Sequence, residues 1–327
     1  MMHDERELQD FLHNPQVLIE ITSHCNFHCS YCLSPLIENK RFMPLETVKR
    51  VVDQAVELTR FPLRLHTDGE PMSHPDFFKI VDYIVTTKHH DVFLATNGSL
   101  LTPELLRYPI SILISVSTDA EEFSKRSSLN YEKYLRKIGE YVTQWYRTDS
   151  RQRVNFQLIY ALNPGEPGYA EYDEKKIRFM REMVRELLET GNVTEVSSPE
   201  SDVYTLEKAD GSCLKFIKMR LARGGLYPVD GKVVDQGETD SGFCDSPWKR
   251  ITVLSNGTIG FCCIDLSGAT AFTTIDDLEH RSLKELWEHH PDVRRIRDGF
   301  LKNEVLLDVC RRCLAKKPNH TLRVGYS

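Results

Sequence analysis

From about residue 16 to 200 the chain alternates short apolar runs with longer stretches whose apolar residues recur every three or four positions. The short runs predict strands at Gln16–Ile21, Pro62–His66, Asp91–Ala95, Ile112–Val116, Val154–Tyr160 and Val193–Val196. The periodic stretches predict helices. In Leu45–Leu58 the residues Val48, Val51, Val52, Ala55 and Val56 share one side, and in Tyr131–Trp145 so do Tyr134, Leu135, Ile138, Tyr141, Val142 and Trp145. A third helix is expected over Asp173–Glu189, stopped near Gly191.

Six strand–helix repeats imply a parallel sheet with right-handed crossovers, and so an α/β fold. The pattern alone leaves a doubly wound sheet and an incomplete barrel both open. In either, ligands gather at the carboxyl ends of the strands. Thr22–Arg41 follows the first strand directly and has little regular pattern, as a ligand-wrapping loop would. Residues 1–15 form a short segment before that strand. Over 201–243 the periodicity weakens and Gly, Asp and Ser accumulate, so a linker is expected there, leading to a smaller unit over 244–327. That unit carries a predicted hairpin, Arg250–Leu254 and Thr258–Cys262 around Asn256-Gly257, then a helix near Ser282–His290.

A length of 327 residues accommodates one large α/β domain and an appendage. The net charge of −6 gives no reason to expect nucleic acid as a partner. The amino terminus lacks the basic start and apolar run of an export signal. No stretch approaches the roughly 18 apolar residues needed to span a bilayer. A cytoplasmic protein is therefore expected, and in that compartment the 9 cysteines are expected to bind metal or do chemistry rather than form disulfides. Seven fall into two sets, Cys25, Cys29 and Cys32, then Cys244, Cys262, Cys310 and Cys313; Cys213 and Cys263 remain.

The segment ITSHCNFHCSYC sets three thiolates at C-x3-C-x2-C in one loop. Three such thiolates hold three corners of a [4Fe–4S] cube and leave one iron open to an outside ligand. A zinc site completed by His24 or His28 is the competing reading of the spacing. With Tyr31 just before Cys32, the segment resembles the signature of the radical S-adenosylmethionine superfamily. That resemblance implies that the three cysteines bind the cluster and that S-adenosylmethionine chelates its fourth iron. It further implies that an electron from an external reductant, such as flavodoxin or ferredoxin, cleaves the sulfonium to methionine and a 5′-deoxyadenosyl radical. The fold it implies is an incomplete (β/α)6 TIM-like barrel over residues 16–200.

Other segments resemble the family in the right order. His66-Thr67-Asp68-Gly69-Glu70-Pro71, after the second predicted strand, is similar to the family's GGEP motif, with Asp68 in place of the first glycine. The likeness assigns Asp68, Gly69 and Glu70 to the ammonium group of S-adenosylmethionine; alone, the segment reads as a β-turn. Asn97 in Thr96-Asn97-Gly98 lies in a turn common in the family. Ser117 resembles the residue that bonds the ribose hydroxyls, and Arg126 the arginine that pairs with the methionine carboxylate. Tyr31 joins this cofactor-binding group. A surface salt bridge is the plain alternative for Arg126.

Cys244, Cys262, Cys310 and Cys313 bracket the predicted hairpin and helix. A four-cysteine zinc site fits their spacing as well as a cluster does. The sequence around them resembles the SPASM or shortened "twitch" extension of the superfamily, an α+β unit that carries auxiliary [4Fe–4S] clusters. Four or five cysteines imply one such cluster, with Cys262 preferred over Cys263 as ligand. Cys263 and Cys213 are then candidate hydrogen-atom donors to a substrate radical; the alternative is a small buried apolar side chain.

Three outcomes follow hydrogen abstraction: oxidation of an alcohol carbon, its epimerisation, or peptide modification. Shortened extensions resemble those of enzymes acting on sugars and aminocyclitols, so a small hydroxyl-bearing substrate is expected, with a peptide as the alternative. A non-catalytic zinc or iron–sulfur protein is the reading from another class. Glu70, Gln157 and Tyr160 lie at predicted strand ends facing the expected cavity.

Overall fold

The computed structural model describes residues 5–29, 32, 34, 37–118, 120–160, 167–191, 193–220, 237–262 and 268–315. Strands β1 (Gln16–Ile19), β2 (Leu63–Arg64), β3 (Val92–Thr96), β4 (Ser111–Val116) and β5 (Arg153–Tyr160) pair in parallel in chain order. Between them run α2 (Leu45–Leu58), α3 (Phe77–Asp82), α4 (Ala120–Ser124) and α5 (Tyr131–Arg147). α1 (Glu5–His13) precedes the sheet.

Strand alternation sorts side chains onto two faces. One face, with Val17, Ile19, Ile112, Ile114, Val116, Val154, Phe156 and Leu158, joins the hydrophobic core. Against it pack Val48, Val51, Val52 and Ala55 of α2 and Tyr134, Ile138, Tyr141 and Trp145 of α5. Each valine or isoleucine buried here contributes about 1.5–3 kcal/mol by leaving water. The other parity, Leu18, Arg64, Phe93, Leu113, Asn155 and Gln157, stands outside that core. Among the described residues helices cover only one face, which decides for an incomplete barrel over a doubly wound sheet.

The sixth parallel strand differs from the expectation. Val193–Glu195 forms β6, but it is the sheet's outermost strand, antiparallel to β7 (Val203–Lys208). The position beside β5 belongs to β8 (Cys213–Arg220), which is reached from β5 through α6 (Tyr169–Glu189), β6 and β7. Nearly the first half of the expected linker is therefore a hairpin of the barrel, turned at Asp210-Gly211, where Gly211 has φ 80°. Its period-two alternation, Tyr204 and Leu206 against Leu214 and Phe216, buries one face.

The carboxyl-terminal unit continues the same sheet. After the one-turn helix α7 (Ser246–Lys249), β9 (Arg250–Val253) pairs in parallel with β1, Gln16 opposite Arg250 and Ile19 opposite Val253. It turns through Gly257, φ 91°, into β10 (Thr258–Gly260) and then β11 (Thr273–Thr274). The helices α8 (Leu283–His289), α9 (Pro291–Leu301) and α10 (Asp308–Leu314) follow. The Trp287 indole N–H donates to Leu12 O at 2.9 Å, fastening α8 to the amino-terminal helix. Among the described residues no helix is long and apolar enough to cross a membrane.

Candidate cluster and cofactor site

The three cysteines of the first set leave β1 on one loop at the carboxyl end of the sheet. Cys25, Cys29 and Cys32 are each partly exposed. The Cys32 N–H donates to Cys29 O at 3.0 Å, folding the loop back on itself. Burial is the main cause that raises the pKa of Cys25, and it pushes Cys32 up to about 12. Asp68, Cys29 and Cys25 add to the rise at Cys32, while the Ser34 N–H opposes it. Thiols crowded with each other and with carboxylates ionise together only if a polyvalent cation shares the site. The donor set thus fits an iron–sulfur cluster.

Each sulfur also has an N–H donor. Phe27 N lies 3.4 Å from Cys25 Sγ, Ser34 N 3.3 Å from Cys32 Sγ, and Arg126 Nε 3.4 Å from Cys29 Sγ. The His24 ring is stacked on Phe42 at 4.2 Å, and His28 is exposed. Among the described residues no three His, Cys, Asp or Glu side chains gather around one ion. A tetrahedral zinc site would bring its sulfurs within about 3.8 Å of each other.

The loop after β2 packs directly on the cysteine loop. A Cβ on Gly69 would sit 2.0 Å from Thr22 O and 2.9 Å from His24 O, so only glycine permits the approach. The Glu70 N–H donates to His24 O at 2.7 Å. The Glu70 carboxylate, expected to face the cofactor, is 2% exposed and accepts from Thr96 Oγ1 at 2.8 Å, Asn97 N at 2.7 Å and Met72 N at 3.1 Å. Burial pushes its pKa up to about 7 despite these bonds. Its oxygens tie the second loop to the end of β3.

Asn97 joins all three loops. Its Nδ2 donates to Asn26 Oδ1 at 2.8 Å and approaches Cys25 Sγ at 3.9 Å, and its backbone O accepts from Tyr134 Oη at 2.9 Å. Ser117 is fully buried, and its hydroxyl accepts from Arg126 Nη1 at 2.8 Å. That hydroxyl, expected to meet the ribose, faces the guanidinium and keeps its own proton to donate. Arg126 also donates to Ser115 Oγ at 3.1 Å and Ser115 O at 3.3 Å. Asp68 lies close enough to Cys32 to raise its pKa. Tyr31 and Cys263 fall outside the described residues.

Cys213, the other candidate hydrogen-atom donor, opens β8 at the end of that strand away from Arg220, and the cysteine loop follows the carboxyl end of β1.

Sequence reasoning missed Glu20. It is 4% exposed, and its carboxylate accepts from Thr67 Oγ1 and from the N–H, at 3.2 Å, and hydroxyl of Ser255. One carboxylate thus joins β1, the GGEP-like loop and the hairpin turn. Its only signal in the sequence is an acid ending the apolar run Gln16–Ile19.

The second cysteine set lies toward the opposite end of the sheet. Cys262 follows β10, its carbonyl accepting from Thr252 Oγ1 at 3.1 Å. Cys244 precedes α7 and β9. Cys310 and Cys313 lie on α10, whose Leu314 is 3.3 Å from a Cβ built on Gly242. Arg311 Nε meets Asp240 at 3.0 Å, and Thr239 N donates to Arg311 O at 3.3 Å. The segment before Cys244 is thereby laid against the helix carrying Cys310 and Cys313.

Residues 19–147 match the model of the radical SAM superfamily, and residues 244–314 match that of the SPASM iron–sulfur cluster-binding domain. The chain belongs to the radical SAM superfamily and is a radical SAM enzyme. Its carboxyl-terminal unit is a SPASM-type extension, and its cofactors are S-adenosylmethionine, the [4Fe–4S] cluster that binds it and auxiliary iron–sulfur binding. The GTP 3′,8-cyclase of Mannheimia succiniciproducens is 26% identical over 156 residues, 45% of this chain and 46% of that protein. The AdoMet-dependent heme synthase of Methanosarcina barkeri is 35% identical over 89 residues, 27% of this chain and 25% of that protein. The matched regions thus span about half or less of these curated relatives. Streptococcus suis SuiB, solved bound to S-adenosylmethionine, superposes with TM-score 0.57 at 15% identity over 89% of this chain and 70% of its own. That likeness is one of fold.

Proposed function

We propose that this enzyme oxidises a hydroxyl-bearing carbon of a small polar substrate of the sugar or aminocyclitol kind. The observation that carries the reading is the polarity of the barrel's inner face. In adjoining register stand Arg64 on β2, Asn155 and Gln157 on β5 and Lys215 on β8, with Phe93 and Leu113 between them, and His66 follows Arg64 two residues beyond the end of β2. Barrel interiors without a polar ligand are filled by branched apolar side chains. These donors and acceptors suit hydroxyl groups. Burial first, then Arg64, pushes the His66 pKa down to about 3, so its imidazole stays neutral, and its Nδ1 has no hydrogen-bond partner among the described residues.

The inner face lies between the two cysteine sets. The first set follows the carboxyl end of β1, and Cys244 precedes β9, the parallel neighbour of that strand. When bound, S-adenosylmethionine and its cluster supply the radical that removes the carbon-bound hydrogen. Overall, S-adenosylmethionine and a secondary alcohol become methionine, 5′-deoxyadenosine, the corresponding ketone and a proton. The electron that starts the cleavage is returned as the alcohol radical loses its O–H proton. The reading makes a single cluster held by Cys244, Cys262, Cys310 and Cys313 the acceptor, with flavodoxin or ferredoxin as the external reductant.

The test is anaerobic turnover with a panel of aminocyclitols and sugars, followed by mass spectrometry. Oxidation yields a product two hydrogens lighter, with one 5′-deoxyadenosine for each. An unchanged mass that gains one solvent deuterium would instead mean epimerisation, with Cys263 the donor to examine. Turnover of peptides alone would favour the maturation reading, and no 5′-deoxyadenosine under any condition would favour a non-catalytic protein. An iron count falling from about eight to about four on replacing Cys25, Cys29 and Cys32 by Ala would establish two clusters.

A further inference from the structure

We infer that Arg126 sets the electron affinity of the cluster through its Nε–H···Sγ bond to Cys29, an inference that rests on Cys25, Cys29 and Cys32 holding that cluster. Among the described residues two of the four donors to these sulfurs are backbone N–H groups, those of Phe27 and Ser34, and one is the neutral Asn97 amide, 3.9 Å from Cys25 Sγ. The fourth is a charged side chain, distant in sequence and 3.4 Å from its sulfur. Arg126 is 3% exposed, so water does little to screen its charge. It is also held still. Ser117 and Ser115 accept from its two terminal nitrogens, and its guanidinium lies 5.6 Å from the centre of the Phe27 ring. Its carbonyl accepts from His28 N at 2.7 Å, tying the arginine to the cysteine loop itself.

Reduction adds one negative charge to the cluster. A hydrogen bond to sulfur from a fixed cation favours the reduced form more than the oxidised one, and so raises the potential. Arg126 is in this sense a positioning and tuning residue, because it acts through Cys29. Loss of its charge should lower the one-electron reduction equilibrium constant roughly tenfold, which is about 59 mV.

The experiment compares reconstituted wild-type protein with Arg126→Gln and Arg126→Lys, first for iron and sulfide, then by redox titration followed by electron paramagnetic resonance without S-adenosylmethionine. Later addition of S-adenosylmethionine identifies the signal of the cluster with the open iron. The inference expects Arg126→Gln to keep its iron and shift to lower potential, with Arg126→Lys between it and wild type. In wild-type protein labelled with 15N-arginine, it expects a 15N hyperfine coupling to that cluster. If Arg126→Gln fails to assemble a cluster, the labelled wild-type protein decides alone, and absence of the coupling overturns the inference. An unchanged potential with weakened S-adenosylmethionine binding also overturns it, and returns Arg126 to the carboxylate role its position in the sequence suggested. Wild-type protein that holds no cluster at the first set refutes the underlying reading instead.

Discussion

Gly69→Ala is the sharpest single probe of the site. The added methyl would lie 2.0 Å from Thr22 O, 2.8 Å from Thr22 C and 2.9 Å from His24 O, all backbone atoms of the segment entering the cysteine loop. No rotamer change relieves that contact. Moving the Cβ from 2.0 Å to the 3.0 Å below which real contacts do not occur requires about 1 Å of relative displacement. The displaced segments carry Cys25 on one side and Glu70 on the other, and the bond from Glu70 N to His24 O at 2.7 Å must break or stretch. Overpacking of this kind costs about 1–3 kcal/mol. A 1 Å misplacement of reacting groups costs on the order of a hundredfold in rate. The assay is 5′-deoxyadenosine formation by chromatography, with thermal unfolding alongside. Gly139→Ala, in α5, is the control, because its Cβ meets nothing within 4 Å; it should stabilise the protein by about 0.5–1 kcal/mol. Wild-type rate and stability in Gly69→Ala would refute the contact between the two loops.

Three further substitutions test the scaffold around the site. Glu70→Gln places an amide NH2 against the N–H of either Asn97 or Met72, and should cost about 1–3 kcal/mol in urea unfolding; a neutral result would mean that the carboxylate is not so engaged. Glu20→Ala strips the bonds to Thr67 and Ser255 and should lose about 2 kcal/mol. Limited proteolysis should then cut the hairpin turn faster, and unchanged protection would contradict the link. Lys176, 1% exposed, donates to Thr118 Oγ1 at 3.1 Å and Glu122 Oε2 at 3.2 Å over the Tyr172 ring at 4.6 Å. Lys176→Met should destabilise by about 2 kcal/mol, measured by thermal unfolding.

What the sequence made legible, and what it hid, follows the range of the interactions concerned. Leu45–Leu58 is a helix with the expected bounds because its apolar period is local, and the turn at Asn256-Gly257 is local too. The cysteine loop could be placed because its three cysteines are close in sequence. The β7–β8 hairpin carried a local signal as well, alternation either side of Asp210-Gly211, but Lys208 and Lys218 fall on the same parity as Tyr204, Leu206, Leu214 and Phe216 and so break the apolar run. Other contacts left no local trace. Glu20 reaches Ser255 across 235 positions, Arg126 reaches Cys29 across 97, and β9 joins β1 by pairing alone. Ser117 shows what such contacts change. Its place at the end of β4 suggests a ribose contact, and a buried arginine nine residues on donates to the same hydroxyl, linking it to the cysteine loop.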